Sequence, residues 1–552
     1  VTVRLVHPEE PAKPPDWLDD EPPFDGGGQD VRPEVKLYAS PAKNVDALDA
    51  GLAEHDAGVF QRGGSLVQVV QTREPGKHSV GTPILYQLDR YSLALRIDRA
   101  LKCVRWSPPS KDAIKLAAKN EAEAFGEWVP TLPMPDLALL PMLHAKQWRK
   151  IRPLRAVTES PLFRPDGTIM QEPGYDEPTG YLYKPSCSYP PIPDSPTQAD
   201  ARRAFEELKH VFCDFPYDTP ASALVPIGAL LTIVARAAIE GPTPAFIFDA
   251  SVRGSGKTLQ GDVAHVIAFG RHAPHAAFPE KPEDQEKLLA CYAVDAAAVA
   301  FFDNVKGVLG GPSLEGALTS TVVEFRVLGA TVKPRLPWVS VVLVSGNNLA
   351  LTDDMVRRSL VARLEPQEEN PETRTGFAHE DLIGWCMQDR PRLIVAALTV
   401  LRAYACHGYP SPNFGVMQSF NAWSKLIPGA IAFAGGGNLL EARARGTGSA
   451  ADEIGALSVL LRRMPELYGE GNSISVRGLV SALYPAPARN DPPDGWAEVR
   501  EAIEDLAPMR GGMPDVKRLG QTLSRYVGRW VDGRRLVAGE VKGTRKWRVE
   551  TR

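Results

Sequence analysis

The 552-residue chain carries 63 Lys and Arg against 67 Asp and Glu, a formal charge of −4, and 43% of it is hydrophobic. That is enough for about three or four domains with sizeable cores. It excludes a chain that holds nucleic acid through its overall charge, so any basic surface has to be local.

The residues given open on Val1, as either a valine-coded start or a piece of a longer protein would, and show no signal-peptide pattern. Residues 1–34 are rich in Pro, Gly and Asp, a composition that buries little and suits a disordered arm or linker. Residues 35–150 mix helical and strand patterns and predict an α+β domain. Within it 63–71 alternates like a strand and 111–125 reads as a helix. No catalytic constellation, and no set of primase-type acids, stands out there. Residues 151–199 form a turn-rich connecting region, with Pro-Asp-Gly chemistry at 164–167 and a short strand at 180–183. Its Tyr and Pro content fits small-domain packing better than a binding surface.

From about 200 to 435, strands alternate with helices, which predicts an α/β domain on a parallel sheet. The longest apolar run, 221–235, is too short to span a bilayer, ends at Arg236 and reads as a buried helix. Strands are expected at 244–250, 296–303, 338–346 and 359–366. Helices are expected at 259–269, 283–293, 392–405 and 419–435. The six cysteines (Cys103, Cys187, Cys213, Cys291, Cys386 and Cys406) are scattered, without C-x-x-C spacing or a Cys/His cluster. They read as buried thiols of a reducing, cytoplasmic protein, not as a zinc site.

Between the first strand and the first helix of this domain runs S-V-R-G-S-G-K-T-L, residues 251–259. The phosphate-loop pattern G-x-x-x-x-G-K-[ST] asks for glycine where Ser251 stands, but that position serves loop entry and removes no phosphate ligand. The backbone from Arg253 through Gly254, Ser255, Gly256, Lys257 and Thr258 to Leu259 is expected to line a phosphate concavity at a helix N-terminus. Lys257 then reaches the β- and γ-phosphates of ATP, and the Thr258 hydroxyl ligates Mg²⁺. A chance G-K-T is the competing explanation, and the flanking strand and helix argue against it.

The strand ending at Asp303, about 45 residues on, suits a Mg²⁺ anchor that acts with Thr258; the alternative is an Asp that caps a turn. Asn304 follows, where a glutamate would take a proton from the attacking water; Asn positions water but takes no proton. Asn347 and Asn348 close the third strand, placed to sense a γ-phosphate. Arg357 and Arg358 suit either an arginine finger into a neighbouring subunit or a solvated basic helix end. Residues 324–338 read as a hairpin carrying Arg326, Lys333 and Arg335, either a DNA-contacting pore hairpin or a plain surface one.

Gly- and Ala-rich residues 435–452 look like a joint, and 436–472 are expected to hold a linker and helices. Residues 473–552 predict three helices (473–485, 494–508 and 514–529) and a two-stranded hairpin (534–550), the order of a winged-helix domain. In the third helix Val516, Leu519, Leu523 and Val527 share a face, and Lys517, Arg518, Gln521 and Arg525 point away. The hairpin adds Lys542, Arg545 and Lys546. From 510 onward 12 basic residues stand against 4 acidic ones, a footprint for duplex DNA or a merely solvated face.

The order G-S-G-K-T (254–258), F-F-D-N (301–304), V-S-G-N-N (344–348) and Arg357-Arg358, with a hairpin before the asparagines, resembles superfamily 3 and related AAA+ helicases. More narrowly it is similar to replicative helicases or primase-helicases of phages, plasmids and integrative elements. The resemblance covers roughly residues 150–435 and, more loosely, the tail; Ser251 and Asn304 depart from it. It implies an AAA+-like P-loop ATPase with a helical lid, a hexameric ring with single-stranded DNA in its pore, and replication of a mobile element. The sequence thus supports an ATP-dependent DNA helicase or translocase. The alternative is a DNA-bound ATP switch (a regulator, loader or anti-phage sensor) that unwinds nothing.

Overall fold

The computed structural model describes residues 30–552 apart from 56, 73–80, 121, 132, 253, 326–333, 367–370, 372–373, 413, 445–449, 470, 485–494, 508, 511–512, 529 and 542–543. The chain divides into two compact units. The first runs to Val305 and takes in Gly311–Asn347 and Leu360–Ala442; the second comprises Lys306–Gly310, Asn348–Ser359 and Arg443–Arg552.

The first unit opens with a three-stranded sheet. Strand Glu34–Leu37 lies parallel to Lys102–Ser107, which pairs antiparallel with Glu127–Pro130. Helices Pro41–Glu54 and Arg90–Ala100 bury Leu48, Leu52, Leu93 and Ile97 in the core beneath it. The second helix starts on a capping box in which Asp89 and Ser92 satisfy each other's backbone N–H groups. A three-stranded antiparallel sheet follows, built from Val59–Arg62, Ser65–Gln71 and Pro83–Gln87. The helix expected over 111–125 spans only Lys111–Lys119 and ends at Asn120. None of its residues is buried, so no tertiary packing carries it further. The expected turn is present: the Gly167 N–H donates to Arg164 O over 2.9 Å, with Gly167 in the left-handed region.

The rest of this unit is built on a five-stranded parallel sheet. Its parts are β1 (Ala245–Ala250), α1 (Lys257–Phe269), β2 (His275–Ala276), α2 (Pro282–Val294), β3 (Val299–Val305), β4 (Val341–Asn347) and β5 (Ser359–Leu364). The strand order is β2-β3-β4-β1-β5. Every residue of β1 and most of β4 are buried, as expected of parallel strands covered on both faces. β1 lies between β4 and β5, both later in the chain, so the winding reverses beside it. The crevice outside the carboxyl ends of the strands at such a point is where open α/β sheets take ligands.

Helices Pro220–Val234, Leu382–Cys406 and Asn421–Phe433 bury their apolar faces in the same core. Leu382–Cys406 begins ten residues before its expected start at 392. Pro391 reads as a stop signal in sequence, yet here it sits inside a helix whose buried side, including Cys386, Leu393 and Ile394, is held by packing.

The second unit has its own core. Helices Ala450–Tyr468, Val476–Leu483, Ala497–Leu506 and Val516–Arg525 pack with a three-stranded antiparallel sheet of Trp530–Val531, Arg534–Val541 and Thr544–Thr551. Leu457, Leu479, Ile503, Leu519, Leu523 and Trp547 lie at its centre.

Among the described residues all six cysteines are free, but Cys213, Cys291 and Cys406 are exposed, against the expectation of buried thiols. No helix among the described residues is long and apolar enough to cross a membrane.

Candidate active site

The segment between β1 and α1 is pinned at its root. The Ser251 N–H donates to Leu364 O at the end of β5 over 3.3 Å. One residue before β1 ends, the carboxylate of Asp249, 1% exposed, pairs with the Arg363 guanidinium of β5. Within the loop the Ser255 hydroxyl donates to Val252 O over 3.1 Å. Gly254 and Gly256 have φ of 76° and 87°, where an L side chain is strained. A Cβ on Gly256 would also lie 3.0 Å from the Phe215 ring.

Gly256 is the residue before α1, and Lys257 and Thr258 form its first turn, where backbone N–H groups lack partners within the helix. The loop therefore presents backbone donors, the positive end of a helix and a lysine ammonium in one place. Leu259 packs against the hydrophobic core, so its side chain serves the fold and only its N–H belongs to the loop. Arg253 lies outside the described residues.

Opposite this turn is the end of β3. The register between β3 and β4 shifts between Phe302 and Val305, a bulge that holds Asp303 and Asn304. Bulges beside a site re-aim side chains. Here the Thr258 hydroxyl donates to Asp303 Oδ1 over 2.7 Å, and the Ser345 hydroxyl of β4 donates to the same oxygen. Ser345 in turn accepts the Asn304 N–H over 2.9 Å. Burial alone would raise the Asp303 pKa. The hydrogen bonds from Ser345 and Thr258, with the charges of His275 and Lys257, outweigh it and hold the carboxyl below its ordinary value. An ionised carboxylate beside a hydroxyl is a hard oxygen pair of the type Mg²⁺ takes.

Ser345 is the residue of the candidate site that sequence reasoning missed; the one signal was a lone hydroxyl in the apolar run 341–346. Asn304 has φ of 52°, a backbone region that Asn tolerates better than Glu does, which gives the departure from glutamate a conformational reason. Asn347 pairs in register with Ala250 at the end of β1, and its Oδ1 is buried without a hydrogen-bond partner among the described residues. An orphaned acceptor next to the loop fits a site that receives a donor from outside the chain, such as metal-bound water.

The structure brings Lys257, Thr258, Asp303, Asn304 and Asn347 to one end of the sheet. Asn348, Arg357 and Arg358 belong to the second unit, where the helix Asp353–Arg357 is capped by Thr352 and Arg357 pairs with Asp354. Of the expected hairpin, strands Val322–Glu324 and Arg335–Pro337 pair antiparallel, and Arg335 forms an ion pair with Glu324. Arg326 and Lys333 lie outside the described residues.

In the C-terminal unit Lys517, Arg518 and Gln521 are exposed on the helix Val516–Arg525, opposite buried Leu519 and Leu523. Val527 lies beyond the helix end and is exposed, not part of its apolar face. The Arg545 guanidinium is exposed, sits over the Trp547 ring and donates to the Ser524 hydroxyl over 3.1 Å; Lys546 is half-exposed. Lys542 and the side chain of Arg525 lie outside the described residues.

No protein-family model matches the chain, and no curated protein does. Among solved structures it is similar to the A form apo structure of the NrS-1 C-terminal region, with 10% identity over 88% of this chain and 96% of that one. The TM-score is 0.35, too low to argue from.

Proposed function

We propose that the chain is an ATP-dependent DNA helicase or translocase that works as a ring, most simply a hexamer, in replication of a mobile element. Its ATPase domain is of the P-loop, AAA+/superfamily 3-like type, and its tail is a winged helix. The observation that carries this is the Thr258–Asp303–Ser345 cluster, which joins the first turn of α1 to the carboxyl end of a parallel sheet.

Lys257 and the loop N–H groups hold the phosphates. Thr258 and Asp303 hold Mg²⁺, which when bound neutralises charge on the phosphate oxygens. Asn304 and Asn347 orient the attacking water and leave its proton for another acceptor. Arg357 and Arg358 supply charge to a neighbouring subunit's site. Arg326, Lys333 and Arg335 track single-stranded DNA, and the tail docks on duplex through Lys517, Arg518, Arg525, Lys542, Arg545 and Lys546.

The amide of Asn304, which takes no proton, favours a second function, a DNA-bound ATP switch that hydrolyses slowly and unwinds nothing. Strand displacement on forked DNA with Mg²⁺ and ATP separates the two. The motor unwinds, and Lys257→Ala abolishes both unwinding and turnover in a folded protein. ATP binding without displacement leaves the switch, and wild-type turnover in Lys257→Ala refutes both.

A further inference from the structure

The outer face of the first sheet is a platform of rings and ammonium groups that the ATPase does not use. In the register of strands Lys102–Ser107 and Glu127–Pro130, Trp106 stands directly opposite Trp128, with ring centroids 5.7 Å apart. Trp106 is 52% exposed, and Tyr38, 42% exposed, meets Trp128 edge-on at 6.0 Å. The Lys36 ammonium lies 5.0 Å from the centre of the Trp128 ring, and Lys43 lies 5.6 Å from that of Tyr38.

On the strand Glu34–Leu37 alternation explains the layout: Val35 and Leu37 point into the core, so Lys36 points out. On its neighbour Val104, of the same parity as Trp106 and in register with Lys36, is covered at 1% exposure, so the open part of the face is at Trp106. The helix Lys111–Lys119 follows four residues after the strand and carries Lys111, Lys115 and Lys119 at i, i+4 and i+8. The acids on the same and adjoining segments include Glu34, Asp46, Asp112, Glu123 and Glu127, and the ammonium groups at the rings themselves are those of Lys36 and Lys43.

Two exposed rings, Trp106 and Tyr38, flank a half-buried third, Trp128, and lysines stand beside Trp128 and Tyr38; this matches the chemistry of a single strand, in which bases stack on rings and phosphates meet ammonium groups. A duplex keeps its base faces covered and offers such rings nothing. We propose that this face binds single-stranded DNA, independently of the nucleotide site. Base faces and phosphates are common to DNA and RNA, so the choice of DNA rests on the proposed function, and rU30 tests it.

The test uses the full chain without nucleotide and measures anisotropy of fluorescein-labelled dT30, with rU30 and a 30-base-pair duplex for comparison. Trp106→Ala and Trp128→Ala should each weaken dT30 binding roughly five- to 150-fold, with Phe at either position restoring most of it. Lys36→Gln, which leaves the rings in place and decides the matter if a Trp variant fails to fold, should flatten the log–log salt slope by about 0.7. Mg²⁺-dependent ATP turnover measured without DNA should be unchanged in Trp106→Ala and Trp128→Ala, which keeps this site distinct from the nucleotide site. Unchanged dT30 binding in folded variants at every salt concentration overturns the proposal. So does rU30 held tenfold tighter than dT30, or a loss confined to self-association, which would make the face an interface between copies.

Discussion

The carboxyl end of the five-stranded sheet and the outer surface of the C-terminal unit are organised on opposite terms. At the first, two hydroxyls converge on one oxygen of Asp303, and one of them, Ser345, is 0% exposed and also takes a backbone N–H. Each atom has one place, and the chain around it is pinned by the Ser251 and Asp249 contacts to β5. At the second, Lys517 and Arg518 stand in solvent on a helix fixed from behind by Leu519 and Leu523. There the fold sets the surface and leaves the charges interchangeable. Removing one atom should therefore be costly at the first region. At the second, removing one charge should be graded and sensitive to salt.

Among the substitutions that bear on this contrast, the largest effect is expected at Ser345. Ser345→Ala removes a donor to Asp303 and takes from the Asn304 N–H its hydroxyl acceptor. Groups that orient metal ligands typically cost 10- to 100-fold when lost. Mg²⁺-dependent ATP turnover should fall by about that factor, and the Mg²⁺ concentration for half-maximal rate should rise. A variant with the parent's Mg²⁺ requirement would show that Thr258 alone fixes Asp303, and the contrast between the regions would weaken.

Asn304→Glu comes next. If water activation limits the rate, a carboxylate there should raise turnover, read as kcat at saturating Mg²⁺ and ATP. The left-handed backbone works against it, at roughly 1–2 kcal/mol for a residue other than Gly, Asn or Asp. Asn304→Gly keeps the conformation without the side chain and separates the two effects. Turnover that rises in the Glu variant alone assigns the limit to proton removal. Equal loss in both assigns Asn304 the task of orienting water.

How much of this was legible in the sequence follows the same division. The apolar runs of β1, β3 and β4, the Gly-Lys-Thr triplet and the strand-terminal Asp303 announce themselves, because burial and phosphate chemistry restrict residue type. Ser345 does not, since one hydroxyl in an apolar strand is satisfied in many ways and only the register with β3 shows which. The conformation of Asn304 is a property of the bulge, set by pairing between distant segments. The expected helix 392–405 starts too late because the ten residues before it are held by the buried side of Leu382–Cys406, which packing and not local propensity sets. The sheet platform of Trp106 and Trp128 was missed because ring pairing depends on register between strands separated by a helix. Charged faces were legible as composition, and composition does not say what they touch.

The smallest effect per residue is expected on the tail, where the comparison meets its other limit. Lys517 and Arg518 occupy the first turn of their helix, capped by Asp515, whose carboxylate accepts both of their backbone N–H groups over 3.0 Å. Their side chains are exposed, so Lys517→Ala and Arg518→Ala should leave the fold and the basal ATPase unchanged. If each meets a duplex phosphate, each releases counterions, and the slope of log affinity against log salt should flatten by about 0.9 per residue, or about 1.8 for the pair. The loss should be large in dilute salt, small in concentrated salt and the same for unrelated duplex sequences, since phosphates carry no sequence. A loss confined to one sequence would mean these side chains read base edges. A slope that does not move, with affinity unchanged at every salt concentration, would mean that duplex DNA does not use this helix and that the basic tail serves another partner.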